Sequence, residues 1–169
     1  MSQLVALSTS IAVLGAIWAF LALGPLGGFV VVWGGFIAWG CYFHTGGDTK
    51  ALVKTICGNL YGIVIAWIAL FLVFKTAIGG LGVVAIAIVV GVTVFLLVIV
   101  ASIDKLSVVP ANVYGYAATV AYSLSKADVT DNLTVVTFDN PPLLLALSMV
   151  IGAFLGYLSG KLAKALTKA

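Results

Sequence analysis

The sequence contains no arginine and no glutamate, and charged residues make up 8% of its 169 residues. Lysine and aspartate carry this charge, and each copy lies at or near the end of an apolar run. Because no aspartate falls inside such a run, the chain lacks the paired or buried carboxylates of hydrolases and ion-coupled transporters. We therefore expect no enzyme. The net charge of +3 indicates membrane topology and lipid contact, not nucleic-acid binding.

Histidine and cysteine are also scarce. His44 is the only histidine, and no second ligand follows it at metal-site spacing, so we expect neither a metal site nor a cofactor. Cys41 and Cys57 are the two cysteines, and both lie in or beside apolar runs. Two cysteines do not indicate a disulfide framework, so we predict small apolar side chains here, with a redox or metal role as the alternative.

Apolar residues are what the chain has in excess. They make up 63% of it, and the mean hydropathy is +1.28. A soluble domain is about half apolar and about a quarter charged, whereas several runs here approach or exceed the roughly 18 apolar residues of a spanning helix. We therefore predict a single integral membrane domain over 1–169, embedded in the lipid bilayer. Its first apolar run is predicted to be a retained helix, not a cleaved signal peptide.

Glycine, proline and charged residues divide the apolar sequence into six segments, which predict an all-α, polytopic helix bundle. The second segment follows Gly24-Pro25 closely, and the third follows a polar loop that contains Lys50 and Lys54. The predicted spans are 4–23, 26–43, 56–74, 81–102, 106–124 and 141 to about 160, the last continuing as an amphipathic tail.

Pro110 makes the fifth segment unusual, because the residue before a proline is driven away from helical angles. A helix from this proline to position 124 is about 22 Å long, shorter than the roughly 30 Å of the hydrocarbon core. The segment is therefore either a broken helix with an extended start or a re-entrant segment. Both forms expose backbone groups that need protein or water as partners.

The lysines choose between these two alternatives. With six spans and both termini in the cytoplasm, six lysines lie inside and two outside, whereas five spans divide them four to four. The positive-inside rule therefore favours six spans. The lysines predicted inside are Lys50, Lys54, Lys105, Lys161, Lys164 and Lys168, and those predicted outside are Lys75 and Lys126.

The motif Asn-Xaa-Tyr-Gly occurs twice within the apolar runs, at 59–62 and 112–115. In each copy the asparagine, the glycine and a small residue seven positions after the asparagine share one helix face. Such an asparagine either bonds across a helix interface or offers its carboxamide to a solute at a midplane site. The copies fall in the third and fifth spans, so a simple three-plus-three inverted repeat does not align them. The predicted solute-binding or pore-lining residues are Asn59, Tyr61, Asn112, Tyr114, Thr119 and Trp67.

His44 ends the second span and precedes Thr45-Gly46-Gly47-Asp48. Histidine is the side chain whose ordinary pKa lies near neutrality. We predict that His44, with Asp48 nearby, forms a gate or a pH sensor at the cytoplasmic mouth. The alternative is a histidine that caps the C-terminus of its helix.

Four short stretches together resemble one protein family. They are Phe-His-Thr-Gly-Gly at 43–47, Gly-Asn-Xaa-Tyr-Gly at 58–62, and Val-Pro-Ala-Asn at 109–112 with Tyr-Gly-Tyr-Ala at 114–117. They resemble the small bacterial inner-membrane proteins grouped as the domain of unknown function number 1097. The resemblance covers most of the chain and implies a multi-pass protein of the bacterial inner membrane. It transfers no catalytic or binding residues.

Two functional hypotheses follow. The first is a channel or facilitator for a small, mostly neutral polar solute such as urea or an amide, because the spans carry asparagine and aromatic residues but no buried charge. The second is a non-transport scaffold, subunit or regulator held together by glycine-rich packing, of which Gly152, Gly156 and Gly160 are an example. A bundle of this size has little interior space, so we expect a homo-oligomer in either case.

Overall fold

The computed structural model describes residues 1–125 and 128–168, and within them the regular elements are helices. Short 3-10 turns and extended segments connect six α-helices. The helices are α1 (Gln3–Leu23), α2 (Val32–His44), α3 (Thr49–Phe74), α4 (Val83–Ile99), α5 (Val109–Leu124) and α6 (Pro141–Lys168).

Two helix starts differ from the prediction. The second helix begins at Val32 and not at 26, because the segment before it turns through Gly28 at a φ of +91°, which favours glycine. The third begins at Thr49 and not at 56, because the Asp48 carboxylate accepts a 2.7 Å hydrogen bond from the backbone N–H of Ala51 and so caps an earlier first turn. The predicted tail after 160 continues α6 without a break.

Four helices are long and apolar enough to cross a membrane: α1, α3, α4 with the 3-10 turn that follows it, and α6. The length and apolar composition of these helices therefore indicate a membrane protein. The other two are shorter, since α2 has 13 residues and α5 has 16, or about 20 and 24 Å against a hydrocarbon core of about 30 Å. The predicted break in the fifth segment is confirmed: Pro110 lies in the first turn of α5.

The fifth segment runs from one end of the bundle to the other, parallel to α3. At one end Lys54, near the start of α3, pairs with Asp104 before α5, with 2.9 Å between Nζ and Oδ1. At the other end Lys75, just after α3, pairs with Asp131 beyond α5 at 3.1 Å. The backbone N of Met1 donates to the carbonyl oxygen of Leu166 (3.5 Å), so α1 begins where α6 ends.

The two halves of the chain share one arrangement in opposite directions. In each half a short helix follows a segment of turns and precedes the longest helix of that half. The short helix α2 packs along α6, and the short helix α5 packs along α3; these are the most extensive helix pairings of the bundle. The helix order and pairings are thus those of an inverted three-plus-three repeat.

One glycine contact in each helix pair shows that α3 with α5 and α6 with α2 pack in the same way. A Cβ at Gly62 of α3 would lie 1.9 Å from the carbonyl oxygen of Asn112 on α5. A Cβ at Gly152 of α6 would lie 2.0 Å from the carbonyl oxygen of Gly35 on α2. Gly35 therefore corresponds to Asn112, and Gly62 to Gly152. The two asparagine motifs are not copies under this repeat, as expected from their positions in the third and fifth helices.

Candidate functional site

A groove of about 1230 Å³ lies between the two short helices, α2 and α5, and we call it the α2–α5 groove. Its lining side chains follow one face of each helix. On both helices they recur at intervals of four, three and four positions, which is the spacing of a helix face. The residues in these two series are Trp33, Ile37, Gly40 and His44 on α2, and Tyr114, Ala118, Ala121 and Ser125 on α5 and just after it.

Hydrogen-bonding side chains lie towards one end of this groove and aromatic rings towards the other. The His44 Nδ1 atom lies 3.0 Å from the Tyr114 hydroxyl, within hydrogen-bond distance. At the opposite end the rings of Trp33 and Tyr122 are 6.3 Å apart. None of the described residues that line the groove is an aspartate or a lysine. The groove can therefore hydrogen-bond and stack on a neutral molecule, but it offers no fixed charge to hold an ion.

The groove lies between two helices that occupy corresponding positions in the two halves of the chain. Four lining residues of α2 follow Gly35 by two, five, six and nine positions, and four lining residues of α5 follow Asn112 by the same numbers. Since Gly35 and Asn112 correspond, each of these residues has a structural counterpart on the other helix. The pairs are Ile37 with Tyr114, Gly40 with Ala117, Cys41 with Ala118, and His44 with Ala121.

The two asparagine motifs meet each other on the opposite side of α5, where its backbone crosses that of α3. A Cβ at Gly115 would lie 2.0 Å from the carbonyl oxygen of Asn59, which mirrors the contact of Gly62 with the Asn112 carbonyl. Real Cβ atoms do not approach oxygen so closely, so each motif needs its glycine to admit the other motif's asparagine backbone. We call this contact the α3–α5 crossing.

The two asparagine side chains differ in their partners. The Asn112 Nδ2 group donates to the carbonyl oxygens of Leu97 (2.9 Å) and Leu106 (3.1 Å), and so ties α5 to α4 and to the turn before α5. Neither polar atom of the Asn59 carboxamide has a hydrogen-bond partner within the described residues, although the residue is only 1% exposed. Both asparagines are buried between helices and do not line the α2–α5 groove.

The other predicted site residues lie at separate places. The Thr119 hydroxyl donates to Gly115 within α5, and the Tyr61 hydroxyl donates to the carbonyl oxygen of Leu96 on α4. The Trp67 indole donates to the carbonyl oxygen of Leu133 in the loop after α5. Asp48 caps α3, whereas His44 lies within hydrogen-bond distance of Tyr114. Of the predicted site residues, all of which are described, His44 and Tyr114 line the groove.

Sequence reasoning missed most of the groove residues. Gly40, Ala117 and Ala121 are small, and small residues in a membrane helix ordinarily indicate close packing. Trp33 and Tyr122 are of types that ordinarily indicate an aromatic belt. The shared four-three-four spacing of α2 and α5 was the signal that could have found them. Across residues 1–125 and 128–168, no three histidine, cysteine or acidic side chains come together as a metal site would require.

The family model for proteins of unknown function number 1097 matches residues 8–164, so the chain belongs to that family, as the short stretches indicated. No curated protein and no solved structure matches the chain.

Proposed function

We propose that this member of the family is a channel or facilitator that carries a small, neutral, polar solute along the α2–α5 groove. One observation carries the proposal. The groove is lined by the two short helices, which occupy corresponding positions in the two inverted halves, and each follows a segment of turns. Secondary transporters built from inverted repeats bind their solutes at the interface between the repeats.

The lining favours a neutral solute over an ion. The His44 and Tyr114 side chains supply hydrogen-bonding groups, and Trp33 and Tyr122 supply flat apolar surfaces. In this proposal the hydrogen bond between His44 and Tyr114 closes one end of the path, and a passing urea or amide replaces it with bonds of its own. Asp48 has a structural role at the start of α3, and no enzymatic step or cofactor is involved.

A bundle that crosses the bilayer six times, in the bacterial inner membrane, is part of this proposal. Successive helices run in opposite directions along the bundle, and this alternation supports six crossings. Lys54 and Lys161 lie with the chain ends at one face, and Lys75 lies at the other. Lys126 and the side chain of Lys168 are outside the described residues. The family resemblance supports the choice of membrane.

A second copy of the chain is the proposed cover of the groove. Gly40, Ala117 and Ala121 are exposed, so the groove opens sideways between α2 and α5 and needs a wall there. Lipid tails would leave a polar solute without hydrogen-bond partners on this side, whereas a homo-oligomer would supply a protein wall.

Solute flux into liposomes tests the function with a matched pair of variants. Gly40 and Gly91 are both exposed, and a Cβ added at either would meet nothing within 4 Å, but Gly40 lines the groove and Gly91 lies on the outer face of α4. Purified wild type, Gly40→Trp and Gly91→Trp would be reconstituted, and light scattering followed under gradients of urea, acetamide and glycerol. We expect flux of at least one solute in wild type and Gly91→Trp, and its loss in Gly40→Trp.

The results separate the function from its path. Equal flux in all three proteins would support a channel whose path lies outside the groove. Folded wild type with no flux above empty liposomes would contradict passive transport. The alternative would then be a scaffold or subunit, which the buried α3–α5 crossing favours, because its glycines and asparagines serve packing and not solute contact.

A further inference from the structure

A second groove lies where α1 begins and α6 ends, beside the turn from α2 to α3. Its volume is about 460 Å³. Leu7, Phe43 and Ala163 give it apolar walls, whereas Lys164 and Thr167 give it polar ones. Leu7 lies one turn inside α1 from the start of the helix, and Ala163 lies one turn before Thr167 on α6. The groove therefore changes from apolar to polar along the helix axes, towards the end of the bundle.

Cationic side chains collect at the polar end. Lys164 lines both this groove and a neighbouring pocket of about 90 Å³, which Lys161 also lines. The Lys161 Nζ lies 5.3 Å from the centre of the Tyr157 ring, which holds its ammonium group at this position. The acidic residue of the pocket is Asp48, whose carboxylate accepts the capping hydrogen bond from Ala51.

These two lysines are free to meet an anion. Within the described part of the chain the ion pairs are Lys54 with Asp104 and Lys75 with Asp131, and neither Lys161 nor Lys164 takes part in one. The groove is apolar and its mouth is cationic, at the level where a bundle meets the lipid headgroups. It is therefore complementary to an anionic phospholipid, with apolar walls for the acyl chain and lysines opposite the phosphate.

We propose that this groove binds one anionic phospholipid. Its acyl chain lies between Leu7, Phe43 and Ala163, and its phosphate lies at Lys164 and Lys161. The site is separate from the α2–α5 groove, and the proposal stands whether or not the protein conducts a solute. The occupant is a lipid and not a free phosphate, because phosphate alone would leave the apolar walls of the groove uncovered.

Native mass spectrometry of the purified protein in detergent tests the site. The probes are dioctanoyl phosphatidylglycerol, dioctanoyl phosphatidylcholine and inorganic phosphate, each titrated against wild type, Lys161→Gln/Lys164→Gln and Lys105→Gln. Lys105 is the matched control, because it is exposed near the same end of the bundle but lies outside the groove. We expect the phosphatidylglycerol adduct to dominate, and the double variant to weaken it by roughly 30-fold, or about fivefold per lysine.

A Leu7→Trp variant tests the apolar part, because it narrows the groove without changing charge; we expect it to weaken phosphatidylglycerol binding while the melting temperature stays near that of wild type. Equal binding of the two lipids, or an equal loss in Lys105→Gln, would overturn the proposal. Binding of inorganic phosphate as tight as that of phosphatidylglycerol would overturn it as well, since the acyl chain would then contribute nothing.

Discussion

The two sides of α5 use similar residues for opposite purposes. On the side of α3, Asn112 and Gly115 bring two backbones into contact at the α3–α5 crossing, where no side chain fits between them. On the side of α2, Ala117 and Ala121 border the α2–α5 groove and remain exposed. Small side chains lead to close helix packing only where a second helix lies against them. Elsewhere on the same helix they leave a cavity.

The comparison also separates two kinds of polar group. The polar side chains at the crossing are buried and serve the backbone, as when Asn112 holds the carbonyl oxygens of Leu97 and Leu106. The polar side chains of the groove, His44 and Tyr114, bond to each other and face the cavity. A polar residue in a membrane span is therefore not by itself a sign of a solute site. Its position relative to open space decides its role.

Replacing glycine with alanine on each side should show the largest contrast. Gly62→Ala puts a Cβ 1.9 Å from the Asn112 carbonyl oxygen, so the helices must separate, and we expect a loss of about 3 kcal/mol. Gly40→Ala adds a Cβ that meets nothing within 4 Å, and it should be neutral or slightly stabilising. Melting temperatures in detergent measure both. Equal effects would show that the two sides of α5 are not packed differently.

The two asparagines of the crossing should respond in opposite directions to leucine, which has nearly the same shape. Asn112→Leu leaves the carbonyl oxygens of Leu97 and Leu106 without their donor, at a cost of about 1–3 kcal/mol. Asn59→Leu removes a buried carboxamide that has no partner among the described residues, so stability should stay the same or rise. Thermal unfolding of both variants checks this. A comparable loss in Asn59→Leu would show that its carboxamide has a polar partner.

The sequence supports the fold better than the site, and particular residues explain why. The chain is divided by its lysines, aspartates, glycine pairs and Pro110 into six segments that follow the order of the six helices. Pro110 also locates the broken start of α5. The two asparagine motifs also indicate a real contact, because they meet at the α3–α5 crossing. Sequence cannot say that Gly62 packs against a backbone while Gly40 borders open space, since that depends on which helices become neighbours.

Tyr114→Phe should change the groove and spare the fold. The variant keeps the ring and loses the hydroxyl that lies 3.0 Å from His44 Nδ1, so stability should change by less than about 1 kcal/mol. Solute flux in liposomes should nonetheless change in rate, because the bond that closes one end of the path is gone. Tyr122→Phe is the control, since Tyr122 lines the groove and its ring lies near Trp33 at the other end. Equal flux in wild type and Tyr114→Phe would remove the closing role from this pair.

Asp104→Asn should have the smallest effect, and it tests whether surface charge or backbone packing holds α5 on α3. The hydrogen bond from Lys54 lowers the pKa of Asp104 below its ordinary value of 3.8. A lowered folded-state pKa stabilises the fold above about pH 4, and this contribution is lost as the pH falls through the folded-state value. The pair is exposed, so we expect a change in melting temperature near the limit of detection at pH 7, and none once the pH lies below the folded-state pKa of Asp104. A loss at pH 7 as large as that of Gly62→Ala would assign the α3–α5 contact to this ion pair and not to the glycines of the crossing.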